Sequence, residues 1–152
     1  MGKLAFLFPG QGSQKVGMDA GLRATVLAIA DELTVDGLVL RYRTDETDDG
    51  LAGEEGTFTI CSFWLVSALV EIGEIQRARE LCEKLLSYAS PLGLYAEEID
   101  PRSGRHMGNF PQAFTHLALI NAVMHVIRSD QGAEAGSFPL GVELRGRGRG
   151  QA

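Results

Sequence analysis

Two neighbouring carboxylates, Glu97 and Glu98, offer the clearest chemistry in this sequence of 152 residues. They lie in a segment that reads PLGLYAEEIDPRSGRHMGNF, with apolar residues on both sides of the pair. These flanks predict that one carboxylate is partly enclosed while the other points to water or to an arginine. Partial enclosure suits a carboxyl group to proton transfer as a general acid or base. A structural ion pair is the alternative explanation, and the residues alone leave both open.

A second polar segment, residues 41–56, reads RYRTDETDDGLAGEEG. Its acids lack the spacing of an EF-hand calcium loop, so no metal site is predicted. Glu54 and Glu55 precede an apolar run, where their charge would stabilise the positive end of a helix. The sequence contains no serine or cysteine nucleophile elbow, no P-loop and no HExxH arrangement. Carboxylate chemistry is therefore what remains.

Composition excludes other classes of function. The chain has 20 acidic and 14 basic residues and a net charge of −6, which argues against a nucleic-acid partner. Cys61 and Cys82 lie in apolar runs without ligand spacing, so we expect reduced core residues rather than a disulfide or zinc site. The apolar run Leu4 to Phe8 is too short for a signal peptide or a membrane span. We therefore expect a cytoplasmic protein that needs no cofactor and contacts no membrane.

Hydrophobic periodicity predicts four helices to position these groups. Residues 21–33 and 75–86 each carry one apolar stripe, whereas residues 58–72 and 113–127 are apolar nearly all round. Gly73 is expected to end the second helix in a left-handed conformation. Asn109 is the candidate N-cap of the last helix, with Pro111 in its first turn.

The order of the helices is outer, inner, outer, inner. An inner helix reaches the next outer one through a single glycine, whereas the return takes the long segments 34–57 and 90–110. Loops of that length are usually functional. In a ring of helical hairpins they all emerge at one end, so their polar groups converge there. We therefore predict an all-α fold, part of an α/α toroid with two inner and two outer helices, and a plain helical bundle is the alternative.

Three regions differ in pattern. Residues 1–18 begin with a strand-like apolar run and a turn, residues 19–128 are helical, and residues 129–152 form a glycine-rich tail that we expect to be disordered. The tail ends in alternating arginine and glycine, a pattern that in disordered segments also binds RNA.

Residues 21–128 resemble a known family. The runs LRYRTDETDDGLAGEEGTFTICSFWLVSAL and LCEKLLSYASPLGLYAEEIDPRSGRHMGNFPQAFTHLALINAV are similar to the C-terminal third of glycoside hydrolase family 15, the glucoamylase and bacterial trehalase group. The resemblance implies an (α/α)6 toroid, of which about four helices are present. It also implies inverting hydrolysis of an α-glucoside such as trehalose, in which an acid protonates the leaving oxygen and a base activates water. Glucoamylase and trehalase specificity stay unseparated.

The resemblance also assigns residues. The general base carries over to Glu97, with Glu98 as its neighbour. Arg41 resembles an arginine that contacts sugar hydroxyls, and Phe114 and His116 stand where the family has an aromatic and polar pair at the top of the last inner helix. Core packing is the alternative for Phe114 and His116.

The sequence departs from the family in one decisive respect. The general acid of the family lies in an earlier segment with a Trp-Glu signature, and these 152 residues contain none. We therefore expect a fragment that has little or no glucosidase activity alone. A partial toroid also leaves inner helices uncovered around Trp64 and Leu119, so we expect self-association, and a non-catalytic oligomerising piece is an alternative function.

The first 18 residues carry a separate resemblance. LAFLFPGQGSQKVGM is similar to the N-terminus of malonyl-CoA:acyl-carrier-protein transacylases, in which the glutamine at position 11 belongs to the oxyanion-hole region. The Gly-His-Ser-x-Gly elbow that carries the nucleophile of that family is absent. A transacylase-related chain is therefore kept as the alternative function.

Overall fold

The structure, a computed structural model, describes residues 18–43 and 56–135. The strand-like start, the centre of the acidic segment with Glu54 and Glu55, and the Arg-Gly tail lie outside the described residues. The elements in chain order are α1 (Met18–Leu33), β1 (Thr34–Val35), β2 (Leu38–Val39), β3 (Thr57–Phe58), α2 (Thr59–Glu71), α3 (Ile75–Ser87), β4 (Glu98–Ile99), β5 (His106–Met107) and α4 (Ala113–Ala135). The predicted all-α fold with four helices is confirmed. The short strands inside the two long connections are an addition to it.

Helix α2 lies at the centre of the fold and packs against α4 and α3. Phe63, Leu65 and Val66 are almost completely buried, which is the burial predicted for an inner helix. Helix α3 is amphipathic and buries one stripe, with Ala78 and Leu85 fully enclosed. The described helices thus have the inner and outer arrangement of a partial helical toroid.

The tight connection between α2 and α3 is a Schellman motif around Gly73. Gly73 has a φ of +82°, and its N–H donates to the Val70 carbonyl oxygen at 3.0 Å. The N–H of Glu74 donates to the Leu69 carbonyl oxygen at 2.9 Å. These two bonds satisfy carbonyls that the helix end leaves unpaired, and they confirm that glycine terminates α2.

Helix α4 is covered on one face rather than all round. Thr115, Ala118 and Ala122 are buried, and these small side chains allow α4 to approach α2 closely. The opposite face exposes large apolar side chains, namely Phe114, Leu117, Ile120, Met124 and Ile127. Leu119, predicted to be uncovered, packs against the core instead. The uncovered face of α4 is formed by the exposed residues named above. Trp64 of α2 is 38% exposed.

A two-residue hairpin follows α1. Strands β1 and β2 pair antiparallel, and Asp36 and Gly37 between them both have positive φ, as a type I′ turn requires. The Lys84 ammonium of α3 donates to the Asp36 carbonyl oxygen, and the Val39 N–H donates to the Ser62 hydroxyl oxygen of α2 at 2.9 Å. The hairpin is thereby fixed to two helices.

The two long connections meet in a three-stranded antiparallel sheet of order β3-β4-β5. Phe58 at the end of the first connection pairs with Glu98 in the second, and Glu98 in turn pairs with Met107. The predicted convergence of the long loops is therefore present at the start of α2, and the carboxylate pair lies at it. No helix among the described residues is long and apolar enough to cross a membrane.

Candidate active site around Glu97

The backbone of Glu97 is fixed from two sides. Its N–H donates to the Asn109 carbonyl oxygen at 2.9 Å, and its carbonyl oxygen accepts from the N–H of Thr59, the first residue of α2, also at 2.9 Å. Glu97 itself is half-buried and directly precedes β4. The carboxylate therefore projects from a segment of defined position.

The Glu97 carboxylate is held through one of its two oxygens. Oε2 accepts from Asn109 Nδ2 at 2.9 Å and from the Asn109 backbone N–H at 3.3 Å. Within residues 18–43 and 56–135, Oε1 accepts no hydrogen bond from the protein. Because the side chain is half-buried rather than enclosed, Oε1 is the oxygen that can take a proton from a water molecule.

Gly108 lets the chain pass close to Glu97. It has a φ of +71°, and a Cβ at this position would lie 3.0 Å from Glu97 Oε2 and 3.1 Å from Glu97 Cβ. Only glycine combines this left-handed backbone with such close packing. The turn before Asn109 is therefore built around the carboxylate.

Glu98 is directed to the other connection. Its Oε2 accepts the Gly56 N–H at 3.1 Å, and the residue is half-buried in the central strand of the sheet. Glu97, directly before this strand, bonds to Asn109 instead, so the two carboxylates have different partners. The prediction from the sequence is that one carboxylate is partly enclosed and the other points to water or to an arginine. In the structure both residues are half-buried, with Glu97 Oε2 at Asn109 and Glu98 Oε2 at the Gly56 N–H.

Tyr95 anchors the carboxylate segment to the core and to α3. It is 1% exposed, and its hydroxyl donates to the Leu85 carbonyl oxygen of α3 at 3.1 Å. Its ring lies edge-on to Phe63 at 5.5 Å between centroids and stacks on His106 at 6.2 Å. Burial raises the pKa of the Tyr95 phenol, so this group is a neutral hydrogen-bond donor.

His116, in the first turn of α4, is bonded at both ring nitrogens, and its Nε2 ties the carboxylate segment to the helix. Nε2 accepts the Tyr95 N–H at 3.3 Å, and Nδ1 donates to the Gln112 carbonyl oxygen at 2.7 Å. An N–H only donates and a carbonyl only accepts, so the neutral tautomer with hydrogen on Nδ1 satisfies both bonds. Thr115 adds a bond to the Ala96 carbonyl oxygen at 3.2 Å.

The other predicted sugar contacts lie at different places. Phe114 is 67% exposed in the first turn of α4, on a different face of the helix from half-buried His116. The Arg41 guanidinium carbon lies 4.8 Å from the centre of the Tyr42 ring and 5.2 Å from that of Phe58. Because Phe58 pairs with Glu98, Arg41 is brought to the sheet that carries the carboxylates.

Cys61 lies in the first turn of α2, within range of the charge of Arg41. Burial raises the pKa of its thiol to about 11, and the positive charge of Arg41 opposes that rise without cancelling it. The thiol is therefore protonated near neutral pH and is a poor nucleophile. Among the described residues, no group of three or more His, Cys, Asp or Glu side chains could hold a metal ion.

Sequence reasoning missed the residues that hold Glu97. Helix α4 begins at Ala113, so Asn109 is not its N-cap, and Pro111 precedes the helix after a cis Phe110-Pro111 bond. The amide donates to Glu97 instead. The adjacent pair Gly108-Asn109 was the available signal, since a glycine next to a side-chain donor is typical of a tight turn.

The profile of glycosyl hydrolases family 15 matches residues 11–124. The chain belongs to glycosyl hydrolase family 15. The trehalase of Mycolicibacterium smegmatis is 81% identical over 117 residues, which are 77% of this chain and 18% of that protein. The trehalase of Mycobacterium tuberculosis is 80% identical over 117 residues, or 77% of this chain and 17% of that protein. The trehalase of Thermoplasma volcanium is 47% identical over 103 residues, covering 67% and 16% of the two chains.

The family 15 chain thus spans less than a fifth of the length of these relatives. No solved structure matches it. The family match begins at residue 11, inside the segment that resembles a transacylase, and none of the comparisons supports that second resemblance. Residues 129–152 lie beyond the matched region.

Proposed function

We propose that this chain is the base-bearing part of an inverting family 15 hydrolase that acts on trehalose, with Glu97 as the general base. The placement of the Glu97 carboxylate carries the proposal, because Oε2 is held by Asn109 while Oε1 is left to water. The relatives that match over most of this chain are named trehalases, which favours trehalose over the starch-type substrates of glucoamylases.

The proposed step requires one water molecule. Its oxygen attacks the anomeric carbon while one of its protons passes to Glu97, and a general acid protonates the glycosidic oxygen as the bond to the anomeric carbon breaks. The two carboxyl groups of such an enzyme stand about 6.5 to 9.5 Å apart, so that this water fits between them. Glu98, the immediate neighbour of Glu97, serves as a substrate contact in this scheme.

The remaining predicted residues, Arg41, Phe114 and His116, have different proposed roles. Arg41 lies at the same sheet as Glu98 and supplies donors for sugar hydroxyls. The exposed ring of Phe114 offers a flat apolar surface for a sugar ring. Both nitrogens of His116 are bonded inside the fold, which favours a role in holding Tyr95 over direct contact with substrate.

The acid that complements Glu97 is assigned to a part of the family fold other than these 152 residues. The purified chain alone is therefore expected to hydrolyse maltose, trehalose and a nitrophenyl α-glucoside at background rates. Turnover that a Glu97→Gln substitution abolishes would contradict this expectation of inactivity.

A chimera tests the role of Glu97. The segment of the Mycolicibacterium smegmatis trehalase that matches this chain is replaced by the residues of the chain, and trehalose hydrolysis is measured. Glu97→Gln should lower kcat by about 100-fold to 10,000-fold, the usual contribution of a general base. Gln76→Ala, which removes an exposed amide on α3, is the matched control and should leave kcat unchanged. Full activity of the Glu97→Gln chimera would disprove the proposed function.

A second candidate function rests on α4. Its uncovered apolar face favours a non-catalytic role in which two copies of the chain associate through this helix. The residues of the face are 40% to 67% exposed, which is far from the burial of an inner helix.

A further inference from the structure

We propose that Asn109 is a positioning residue for Glu97, an inference that rests on the proposed function. Asn109 makes three hydrogen bonds to Glu97: its side-chain amide and its backbone N–H both donate to Glu97 Oε2, and its carbonyl oxygen accepts the Glu97 N–H. Asn109, twelve positions away, thereby holds both the backbone and the carboxylate of Glu97.

This arrangement fixes which carboxylate oxygen does the chemistry. A glutamate side chain has three rotatable bonds, and a half-buried one samples several rotamers unless its carboxylate is held. Two donors on Oε2 favour one rotamer, and Oε1 accepts no hydrogen bond from the described residues. Displacing a general base by about 1 Å lowers the reaction rate on the order of 100-fold.

The surroundings of Asn109 are consistent with this role. Helix α4 begins at Ala113, so the Asn109 amide is not occupied in capping it. The left-handed backbone of Gly108 brings the turn against Glu97, where any larger residue would meet Oε2 at 3.0 Å. Asn109 is exposed, so its amide satisfies no buried group and contributes little to the stability of the fold.

Because Asn109 is exposed, its substitution can separate an effect on activity from an effect on stability. In the chimera, Asn109→Ala and Asn109→Asp should each lower kcat for trehalose by about 10-fold to 100-fold, while KM changes by less than about threefold. The aspartate keeps the size of asparagine but replaces the donor with a second negative charge beside Glu97. The thermal midpoint of both variants should stay within about 2 °C of the parent, as should that of the Gln76→Ala control.

A second measurement uses the chain itself. The side-chain NH2 resonances of Asn109, recorded by NMR on the full chain, should shift when Glu97→Ala removes the acceptor, whereas Gln76→Ala should leave them in place. Unchanged Asn109 resonances would overturn the inference, whether or not the chimera folds.

The outcomes separate the two proposals. If Glu97→Gln abolishes activity but Asn109→Ala and Asn109→Asp retain full kcat, Glu97 is the base and the positioning role is wrong. If the Asn109 variants lose activity only together with thermal stability, the residue is structural and the positioning role is again wrong. If Glu97→Gln itself is active, the proposed function fails and the inference fails with it.

Discussion

His116 joins the carboxylate segment to α4 through Nε2, while its Nδ1 is bonded to Gln112 directly before the helix. The bond that matters most for stability is the one from the Tyr95 N–H, because Tyr95 is almost completely buried. His116→Ala leaves that N–H without its acceptor and should lower the free energy of unfolding by about 2 kcal/mol. Urea denaturation of the purified chain measures the change. Gln76→Ala, at an exposed position, is the control and should lower the free energy of unfolding by less than about 0.5 kcal/mol. An equally small effect of His116→Ala would show that the bond from the Tyr95 N–H is dispensable.

The Cys61 thiol predicts a dependence of stability on pH. Its pKa is raised by burial to about 11 in the folded chain, against about 8.5 in an unfolded one. The folded state therefore keeps a proton that the unfolded state loses. The stabilisation is complete below about pH 8.5 and is lost progressively up to about pH 11.

A comparison with Cys61→Ala isolates this contribution. The parent chain should lose more stability than the variant between pH 8 and pH 10.5, by an amount on the order of 2 kcal/mol. Urea midpoints measured across this range give the two curves. Parallel curves would show that Cys61 does not titrate differently on folding. Alkylation by iodoacetamide at pH 8 should also be slow in buffer and fast in urea.

Single residues show how far the sequence can predict this site. The apolar flanks of Glu97 and Glu98 predicted partial enclosure of one of the two carboxylates, whereas both residues are half-buried. The partners of the two carboxylates, Asn109 and Gly56, are 12 and 42 positions away from them. Local pattern holds no information on such contacts, and Asn109 was interpreted as a helix cap because its type and its place before a helix fit that role equally well.

At the scale of elements, the turn that carries Asn109 is constrained by Gly108. Gly93 offers a matched comparison, because its φ of +72° equals that of Gly108 within a degree, yet a Cβ there would meet nothing within 4 Å. Gly93→Ala should cost about 1 kcal/mol, the penalty of a left-handed backbone alone. Gly108→Ala should cost clearly more, because its methyl group would press on Glu97.

Thermal and urea unfolding of the two glycine variants test this difference. In the chimera, Gly108→Ala should also lower kcat, while Gly93→Ala should leave it unchanged. Equal stability and equal activity of the two variants would mean that the turn does not pack on Glu97 as tightly as described.

The helices were predictable and the strands were not. Apolar residues repeat at helical spacing over three or more turns, so each helix shows its period in the sequence. Each strand has two residues, which is too short for alternation to be recognised. The pairing of Thr57 with Ile99 and of Phe58 with Glu98 depends on the chain returning after α2 and α3, a tertiary event.

At the scale of the whole molecule, the alternation of outer and inner helices predicted α2 and α4 as the inner pair, and α2 is the central helix of the described residues. It did not predict the covering of α4. Hydrophobic periodicity indicates that a helix is apolar on several sides. It does not indicate whether enough other elements pack on the helix to cover those sides. Helices α1, α3 and α4 pack on α2, and one face of α4 stays open, in a chain that spans less than a fifth of the length of its relatives.

The open face of α4 predicts that the chain associates with itself. Leu117 and Ile120 are each 58% exposed at its centre, and residues 113–127 contain no Asp, Glu, Lys or Arg. Two identical uncharged faces can meet about a two-fold axis without repulsion between like charges, and each covers the apolar side chains of the other.

Static light scattering over a series of concentrations tests this association. The parent chain should exceed the mass of a monomer, 16.4 kDa, as its concentration rises toward about 100 μM, in the range of a weak interface. Leu117→Lys combined with Ile120→Lys should restore the monomer, because each copy would then bring two positive charges into the contact. Leu92→Lys is the matched control, since Leu92 is 83% exposed on the loop between α3 and β4 rather than on the face of α4, and its replacement should leave association intact. A parent chain that stays monomeric throughout, or a control variant that dissociates as readily as the double variant, would show that the face of α4 does not hold two copies together.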